Sequence, residues 1–286
     1  MPRAILQMTH GMIEYIDRYQ PLAEYMVAQG YLVVGHDHLG HGDSVKDQGE
    51  WGYIGTGSHP EDYLVADIQA LRESMQKEYP NLPYFLLGHS MGSYVLRKYL
   101  TRHGEGLAGT IIMGTGFENP LIVRYAVLMS KLISFFKGDH YRSKYLRNLS
   151  YTKYYKEFSL DGSQPTQHWL TQSVDILKRY VTEPRCTFMF TANGYLALYN
   201  TVVFVCTTSH IAEIPKDLNI LVLSGERDPV GSCGIGVKHF VDVLKTTGHA
   251  NVTCKLYKGD RHELINEPDR QTVYEDIAAW TNHLLT

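Results

Sequence analysis

The sequence predicts an α/β fold with a mostly parallel sheet, helices on both faces and an inserted helical cap. Three observations predict it. Short apolar runs alternate with amphipathic helical patterns, which is typical of parallel strands joined by helices. A Gly-x-Ser-x-Gly pentapeptide, Gly88–Gly92, lies between one such run and a helical pattern. Residues 117–214 interrupt the alternation over far more residues than an ordinary strand–helix connection needs.

The strands are predicted from short apolar runs bounded by turn residues. A run that is apolar throughout is expected where helices cover both faces of a parallel sheet. The predicted strands are Ala4–Met8, Tyr31–His36, Tyr84–Gly88, Gly109–Met113, Asn219–Gly225 and Val252–Tyr257.

The helices are predicted from apolar residues that recur with the period of an α-helix. We expect residues 1–116 and 215–286 to form one core and residues 117–214 to form the cap. A chain of 286 residues with 44% hydrophobic content is ample for one large core. The predicted core helices lie near Ile16–Gln29, Glu61–Tyr79, Met91–His103, Val237–Thr247 and Gln271–Leu285.

The cap begins with an amphipathic helix, residues 120–137, whose narrow polar stripe includes Arg124 and Lys131. One interpretation is a helix packed against its own domain. The other is a wall for an acyl chain, or a surface that contacts lipid. Leu128 and Phe135 on the apolar face are candidate substrate-binding residues. Aromatic residues continue through the cap and suit an apolar acyl group, although tyrosine-rich caps also pack simply as structure.

Ser90, at the centre of the pentapeptide, is the candidate nucleophile. Between a buried strand and a helix this pattern indicates a nucleophile elbow, a strained turn that holds a serine hydroxyl above the sheet. Gly88 and Gly92 are needed because side chains there would collide with the neighbouring strand and helix. The N–H of Met91, at the helix N-terminus, faces any developing oxyanion. The alternative is a glycine-rich turn with an incidental serine.

A serine nucleophile needs a general base and an acid that orients the base, and both follow the serine in this kind of fold. His262 is the candidate base because it lies on the loop that leaves the last predicted strand. Asp228, just past the strand Asn219–Gly225, is the candidate acid. Ser90, Asp228 and His262 all follow strand C-termini, where open α/β sheets gather their reactive groups. His262 would accept the Ser90 proton, and Asp228 would hold the imidazole tautomer.

The loop after the first strand carries the second candidate oxyanion donor. Gly11 permits close backbone approach, so the N–H of Met12 would join that of Met91 in an oxyanion hole. His10 is either a group that faces the ligand or a histidine that anchors the turn. We therefore treat His10 and Gly11 as candidate substrate-binding residues.

Composition and motif spacing disfavour other functions. A formal net charge of −3 without a Lys/Arg run disfavours nucleic acid as a partner. Four cysteines without paired spacing, and no visible signal peptide, predict a cytoplasmic enzyme with reduced thiols, peripheral at a membrane at most.

Two histidine motifs resemble metal sites, yet we expect no metal and no cofactor. His262–Asn266 lacks the second histidine of a zinc protease helix. His36, His38 and His41 are interpreted as part of a structural turn. There, Asp37 and the histidines are expected to hydrogen-bond the loop that carries Gly11.

Five segments carry motifs in chain order: His10-Gly11, His36–Ser44, Gly88–Gly92, Asp228–Gly231 and Arg261–Glu267. Together they resemble the serine α/β-hydrolases of the monoacylglycerol lipase and bacterial lysophospholipase group, over nearly the whole chain. The resemblance implies the same triad, and Met12 and Met91 as oxyanion donors. It also implies hydrolysis of a carboxylic ester, a monoacylglycerol or lysophospholipid, through an acyl-enzyme. The alternatives are a short-chain or aromatic-acid esterase and a serine peptidase of the same fold.

The chain departs from this family at its beginning. Relatives carry about two antiparallel strands before the segment that opens here at Pro2, so either the sheet is reduced or an N-terminal piece is absent. Under the family's strand order, Tyr31–Gly35 becomes an edge strand although it is almost wholly apolar. A dimer formed through this sheet edge is therefore one expectation.

Overall fold

The computed structural model describes residues 2–286 and contains one six-stranded sheet in the order β2-β1-β3-β4-β5-β6. Every adjacent pair is parallel, so the sheet is parallel throughout rather than mostly. All six predicted strands are present, with ends that differ by one residue at most. The strands are β1 (Ala4–Thr9), β2 (Tyr31–Gly35), β3 (Tyr84–His89), β4 (Gly109–Met113), β5 (Ile220–Gly225) and β6 (Val252–Tyr257).

The predicted helix Ile16–Gln29 is wrong at its start, because Ile16–Tyr19 forms a 3-10 turn and the α-helix begins at Gln20. Pro21 lies in the first turn of that helix. Its missing N–H costs nothing there, because N–H groups of the first turn have no partner within the helix. The helices are α1 (Gln20–Ala28), α2 (Glu61–Glu78), α3 (Met91–His103), α4 (Pro120–Lys137), α5 (Lys144–Leu149), α6 (Val174–Thr182), α7 (Ala192–Val205), α8 (Thr208–Ile211), α9 (Ile235–Thr246) and α10 (Arg270–His283).

The core lies on both faces of the sheet. Alternate residues of a strand point to opposite faces, so Leu86 and Leu87 of β3 belong to two separate hydrophobic clusters. Leu96 of α3 belongs to the cluster on one face, and Ile277 of α10 to the cluster on the other. This two-sided burial is the physical reason for the continuous apolar runs in the sequence.

Strand β2 lies at the edge of the sheet, as the resemblance implied. Tyr31 is buried and its hydroxyl donates to Thr281 Oγ1 at 2.8 Å, but Leu32, Val33 and Val34 are only partly buried. Within residues 2–286 no strand pairs with its outer side. Dimerisation through this edge stays a prediction.

The segment between β4 and β5 contains α4 to α8 and packs largely through α7, which contacts both α4 and α3. Helix α4 directs Val123, Ala126 and Ser130 inwards, and the Ser130 hydroxyl donates to the Ala126 carbonyl. Its other side, the outer face of α4, exposes Leu121, Leu128, Leu132, Phe135 and Phe136. In the part of the chain that the structure describes, no helix combines the length and the apolar character needed to cross a membrane.

Candidate active site

Ser90 occupies a strained turn between β3 and α3. Its φ of 53° and ψ of −122° are uncommon for a residue with a side chain, and its N–H donates to the Met113 carbonyl of β4 at 3.0 Å. A Cβ added to Gly88 would lie 2.6 Å from the Gly92 carbonyl oxygen, and one added to Gly92 would lie 2.5 Å from the His10 carbonyl oxygen. Both glycines are therefore required by close backbone packing, as the sequence predicts.

The loop after β1 lies directly against the nucleophile. A Cβ added to Gly11 would be 2.9 Å from Ser90 Cβ, so only glycine allows this approach. The Gly11 N–H is already bonded to Glu14 Oε1 at 2.5 Å. Among the described residues, the N–H groups of Met12 and Met91 donate to no backbone carbonyl, and both residues line the cavity that contains Ser90. Two N–H donors are thus available at this point.

His262 is held by Asp228, whose side chain is fully buried. His262 Nδ1 lies 3.0 Å from both carboxylate oxygens of Asp228 and donates to them, which leaves Nε2 free to accept a proton. The carboxylate also accepts hydrogen bonds from the Val230 N–H and the Ser224 hydroxyl. No hydrogen bond joins Ser90 Oγ to His262 within residues 2–286, although both residues line the same cavity. Bonds between a nucleophile and its base often tighten only with substrate present.

A buried ion network behind the elbow was missed in the sequence. Arg18 donates to Glu14 Oε2 at 2.6 Å and forms two parallel bonds of 2.7 and 2.6 Å with the Glu263 carboxylate. The four-residue spacing of Glu14 and Arg18 was a usable signal for the first pair. Nothing local indicates the second pair. Because Glu263 follows His262, the network links the loop after β1 to the loop that carries the candidate base.

His89 extends this network to the candidate base. Burial by itself would raise the pKa of Glu14, but Arg18 and His89 hold it well below its usual range. Burial conversely lowers the pKa of His89, yet its contacts with Glu14 raise it above the ordinary value. His89 Nδ1 faces the Tyr19 hydroxyl at 2.7 Å, and Nε2 donates to the His262 carbonyl at 3.2 Å. The His89 ring therefore connects the two loops.

His10 anchors the turn and does not face the ligand. It is fully buried, Nδ1 donates to the Gly11 carbonyl at 2.8 Å, and Nε2 accepts from the His38 N–H at 2.9 Å. Neither His10 nor Gly11 lines the cavity, which corrects their predicted substrate-binding role. Gly11 instead acts by letting its loop approach Ser90.

Around His10, the side chains of His36, His38 and His41 form a buried cluster of histidines, in which His36 is the most exposed member. Five of their ring nitrogens have no hydrogen-bond partner. The predicted bond to the loop that carries Gly11 is made by the His38 backbone N–H, which donates to His10, and not by these side chains. Burial lowers the pKa of His36 to about 4 and that of His41 to about 3, so both rings are neutral. Within residues 2–286 no group of three or more His, Cys, Asp or Glu side chains is arranged to hold a metal ion.

Asp37 closes the turn that follows β2. One carboxylate oxygen accepts from the Ile16 N–H and the other from the Asp43 N–H, both at 2.8 Å. Asp37 therefore stabilises its own turn and the segment before α1, and it forms no hydrogen bond to Gly11. The structural interpretation of this turn is right, but the partners of Asp37 differ from those predicted.

A largely apolar cavity of about 590 Å³ extends from Ser90 and His262 beneath the cap. Helix α4 contributes Val123 and Ala126 to its wall, together with the more exposed Ile122 and Tyr125. Leu128 and Phe135 do not line it, because they are 54% and 82% exposed on the outer face of α4. Their predicted role in binding substrate within the cavity is corrected accordingly. Other wall residues include Met12, Tyr94, Leu149, Tyr151, Tyr155, Trp169, Leu170, Phe188, Tyr195, Leu198, Tyr199 and Val202.

Comparisons with known proteins point to one family. The family model described as Hydrolase_4, serine aminopeptidase S33, matches residues 1–269. Rat monoglyceride lipase is 32% identical over 99% of this chain and 83% of its own. Phospholipase YtpA of Bacillus subtilis is 24% identical over 99% of this chain and 97% of its own. The solved structure of a thermostable carboxyl esterase from Bacillus coagulans superimposes with a TM-score of 0.89 at 31% identity, covering 100% of this chain and 91% of that one.

Proposed function

Because the chain belongs to the Hydrolase_4 family of serine α/β-hydrolases, we propose that it hydrolyses a monoacylglycerol or lysophospholipid through an acyl-enzyme on Ser90. At the coarser level, the chain is related to serine esterases and lipases. The observation that carries the finer proposal is the apolar cavity of about 590 Å³ that extends from Ser90 beneath the cap. A buried acyl chain gains about 0.8 kcal/mol per methylene, so such a cavity favours a lipid ester.

The proposed reaction proceeds in two halves. Ser90 Oγ attacks the ester carbonyl carbon while His262 Nε2 takes the hydroxyl proton, and the carbonyl π electrons move to the oxygen. The N–H groups of Met12 and Met91 receive this oxyanion, and Asp228 stabilises the imidazolium. The imidazolium then gives its proton to the alcohol oxygen, which leaves. In the second half, a water molecule attacks the carbonyl carbon of the acyl-enzyme while His262 Nε2 takes its proton. The bond to Ser90 Oγ then breaks, the fatty acid leaves, and His262 returns the proton to Ser90.

Chain-length dependence tests the substrate class. We expect kcat/KM for a laurate glycerol ester to exceed that for the butyrate ester by at least about tenfold, because burial of the longer chain is realised in the transition state. Ala126→Phe should reduce this preference by filling the cavity beside α4. The matched control, Leu128→Phe, changes the outer face of the same helix and should keep the preference. Rates are measured below the micelle concentration of each ester.

Preference for butyrate that Ala126→Phe leaves unchanged would support the short-chain esterase instead. Aminoacyl p-nitroanilides in the same assay test the peptidase alternative. An aminopeptidase needs a free carboxylate for the substrate's amino group. In this cavity Glu14 and Glu263 are both paired with Arg18, and burial raises the pKa of Glu118. Asp161, the remaining carboxylate of the lining, accepts hydrogen bonds from the Ser159 hydroxyl and the Ser163 N–H. We therefore expect ester hydrolysis to exceed anilide hydrolysis.

The outer face of α4 is proposed to contact a lipid surface transiently. Phe135, Phe136 and Leu121 are at least 70% exposed on one helix, and an apolar patch of this kind marks an interaction site. The double change Phe135→Ser and Phe136→Ser should weaken binding to phosphatidylcholine vesicles at least about tenfold in a flotation assay. Hydrolysis of a soluble butyrate ester should be unchanged. Val27→Ser, at an exposed apolar position on α1, is the control, and an equal loss of binding there would refute the assignment to α4.

A further inference from the structure

The indole of Trp169 packs against the imidazole of the candidate base. The ring centroids of Trp169 and His262 are 5.0 Å apart, and their planes meet at 37°. Tyr155 packs edge-on against the indole with centroids 5.3 Å apart. All three residues line the cavity that contains Ser90. An aromatic ring from the cap therefore lies beside the ring that would carry the proton during the reaction.

The position of Trp169 is set by hydrogen bonds on both sides of it. We call residues 166–172 the cap strap and residues 261–267 the base loop. The Glu263 N–H donates to the Leu170 carbonyl at 2.8 Å. Leu170 directly follows Trp169 in the chain, and Glu263 directly follows His262. The two rings are thereby held in register. Further bonds run from Arg261 to the carbonyls of Thr166, His168 and Thr171, and from Thr171 to Asn266 and Glu267.

We infer that Trp169 is a positioning residue for the general base, holding the His262 ring in place and stabilising its imidazolium through the indole face. The imidazolium exists between the arrival of the proton from Ser90 Oγ and its departure to the leaving alcohol. An interaction made with this state and not with the neutral ring accelerates the reaction. The inference rests on the proposed role of His262 as base.

The charges around His262 explain why an aromatic face is useful there. Asp228 accepts from Nδ1 and favours the imidazolium. A positive charge on the His89 ring, whose centroid lies 4.8 Å away and whose pKa is raised by Glu14, would oppose the imidazolium. An indole stabilises a cation without adding a charge or a titrating group. The other charged groups nearby already have partners of their own. Glu14 and Glu263 are paired with Arg18, and Arg261 donates to the cap strap.

Kinetics of Trp169→Leu and Trp169→Phe test the inference. With p-nitrophenyl butyrate as substrate, Trp169→Leu should lower kcat about tenfold. The acid limb of kcat/KM against pH should at the same time move to lower pH, because the imidazolium is less stable. Trp169→Phe retains an aromatic face and should keep most of the rate and the position of the limb. An acid limb that stays in place or moves to higher pH, or equal losses in both variants, would overturn the inference.

A cavity control and a readout without catalysis complete the test. Phe188→Leu removes another aromatic ring of the cavity wall, one that stacks on Trp51, and should leave the acid limb in place. NMR titration of the His262 ring in the resting protein should show its transition at lower pH in Trp169→Leu. If the titration of His262 shifts in this way but the parent protein has no ester activity, the inference about Trp169 is supported and the proposed function is refuted. Absence of the shift would refute the inference in either case. If Trp169→Leu does not fold, Trp169→Met takes its place.

Discussion

Ser90→Ala is expected to lower kcat for ester hydrolysis by at least about ten-thousandfold, because no other group at the elbow can form the acyl-enzyme. The fold should remain intact, since the change removes one oxygen from a turn whose backbone is set by Gly88, Gly92 and the Met113 carbonyl. Steady-state rates on a soluble ester and thermal unfolding of both proteins measure the two effects.

Labelling by a serine-reactive phosphonate identifies the nucleophile directly. Mass spectrometry of the digested protein should place the label on Ser90 and find none in Ser90→Ala. Ser93→Ala is the matched control, because this serine lies one helical turn on, and its hydroxyl donates to the Ser90 carbonyl. It should retain the label. A label on another residue of the parent, or none at all, would contradict an acyl-enzyme on Ser90.

The second large effect is a loss of stability in acid caused by the buried cluster of histidines. In the unfolded chain His36 and His41 take up protons near the ordinary histidine pKa of 6.5, whereas in the folded protein their pKa values fall to about 4 and about 3. Their contribution to stability is therefore complete above about pH 6.5 and is lost as the pH falls towards those values. Between pH 8 and 5 the loss is about 2 kcal/mol per histidine. That is a large share of the stability of a typical domain.

Urea unfolding between pH 5 and 8 measures this loss. In the double variant His36→Gln and His41→Gln, the free energy of unfolding should fall less steeply with decreasing pH than in the parent. The comparison of slopes is independent of any loss of packing common to all pH values. His89 acts in the opposite direction, because its raised pKa adds stability that is lost as the pH rises, and it is present in both proteins. His283→Gln, at an exposed position, should keep the parent slope, and an unchanged slope in the double variant would refute the assignment.

Part of this protein was predictable from the sequence because the signals are local. Strands buried on both faces must be apolar throughout, so each strand is marked in the sequence by a short run of apolar residues. The elbow needs glycine on both sides of Ser90 at fixed spacing. The parallel sheet then brings the ends of β3, β5 and β6 to one edge, which is why Asp228 and His262 were found as a pair. Their hydrogen bonds at 3.0 Å agree with that expectation.

The rotation of α4 is decided by tertiary packing. Its sequence is apolar around most of its circumference, so either side satisfies the helical pattern. Packing against α7 selects the side with Val123, Ala126 and Ser130, whose small side chains allow close approach. Leu128 and Phe135 are consequently exposed and were wrongly predicted to bind substrate in the cavity.

The sequence by itself determined the positions of the strands and the elbow at Ser90, because each depends on residues close together in the chain. It also predicted Asp228 and His262 as the partners of Ser90, because both follow strand C-termini. Only the tertiary structure decided which distant side chains meet. Arg18 and Glu263 are 245 positions apart, and Trp169 reaches His262 through the cap strap. No local pattern encodes such pairs, since their contact depends on how the sheet and the cap pack together. The environment of the candidate base therefore came from the fold.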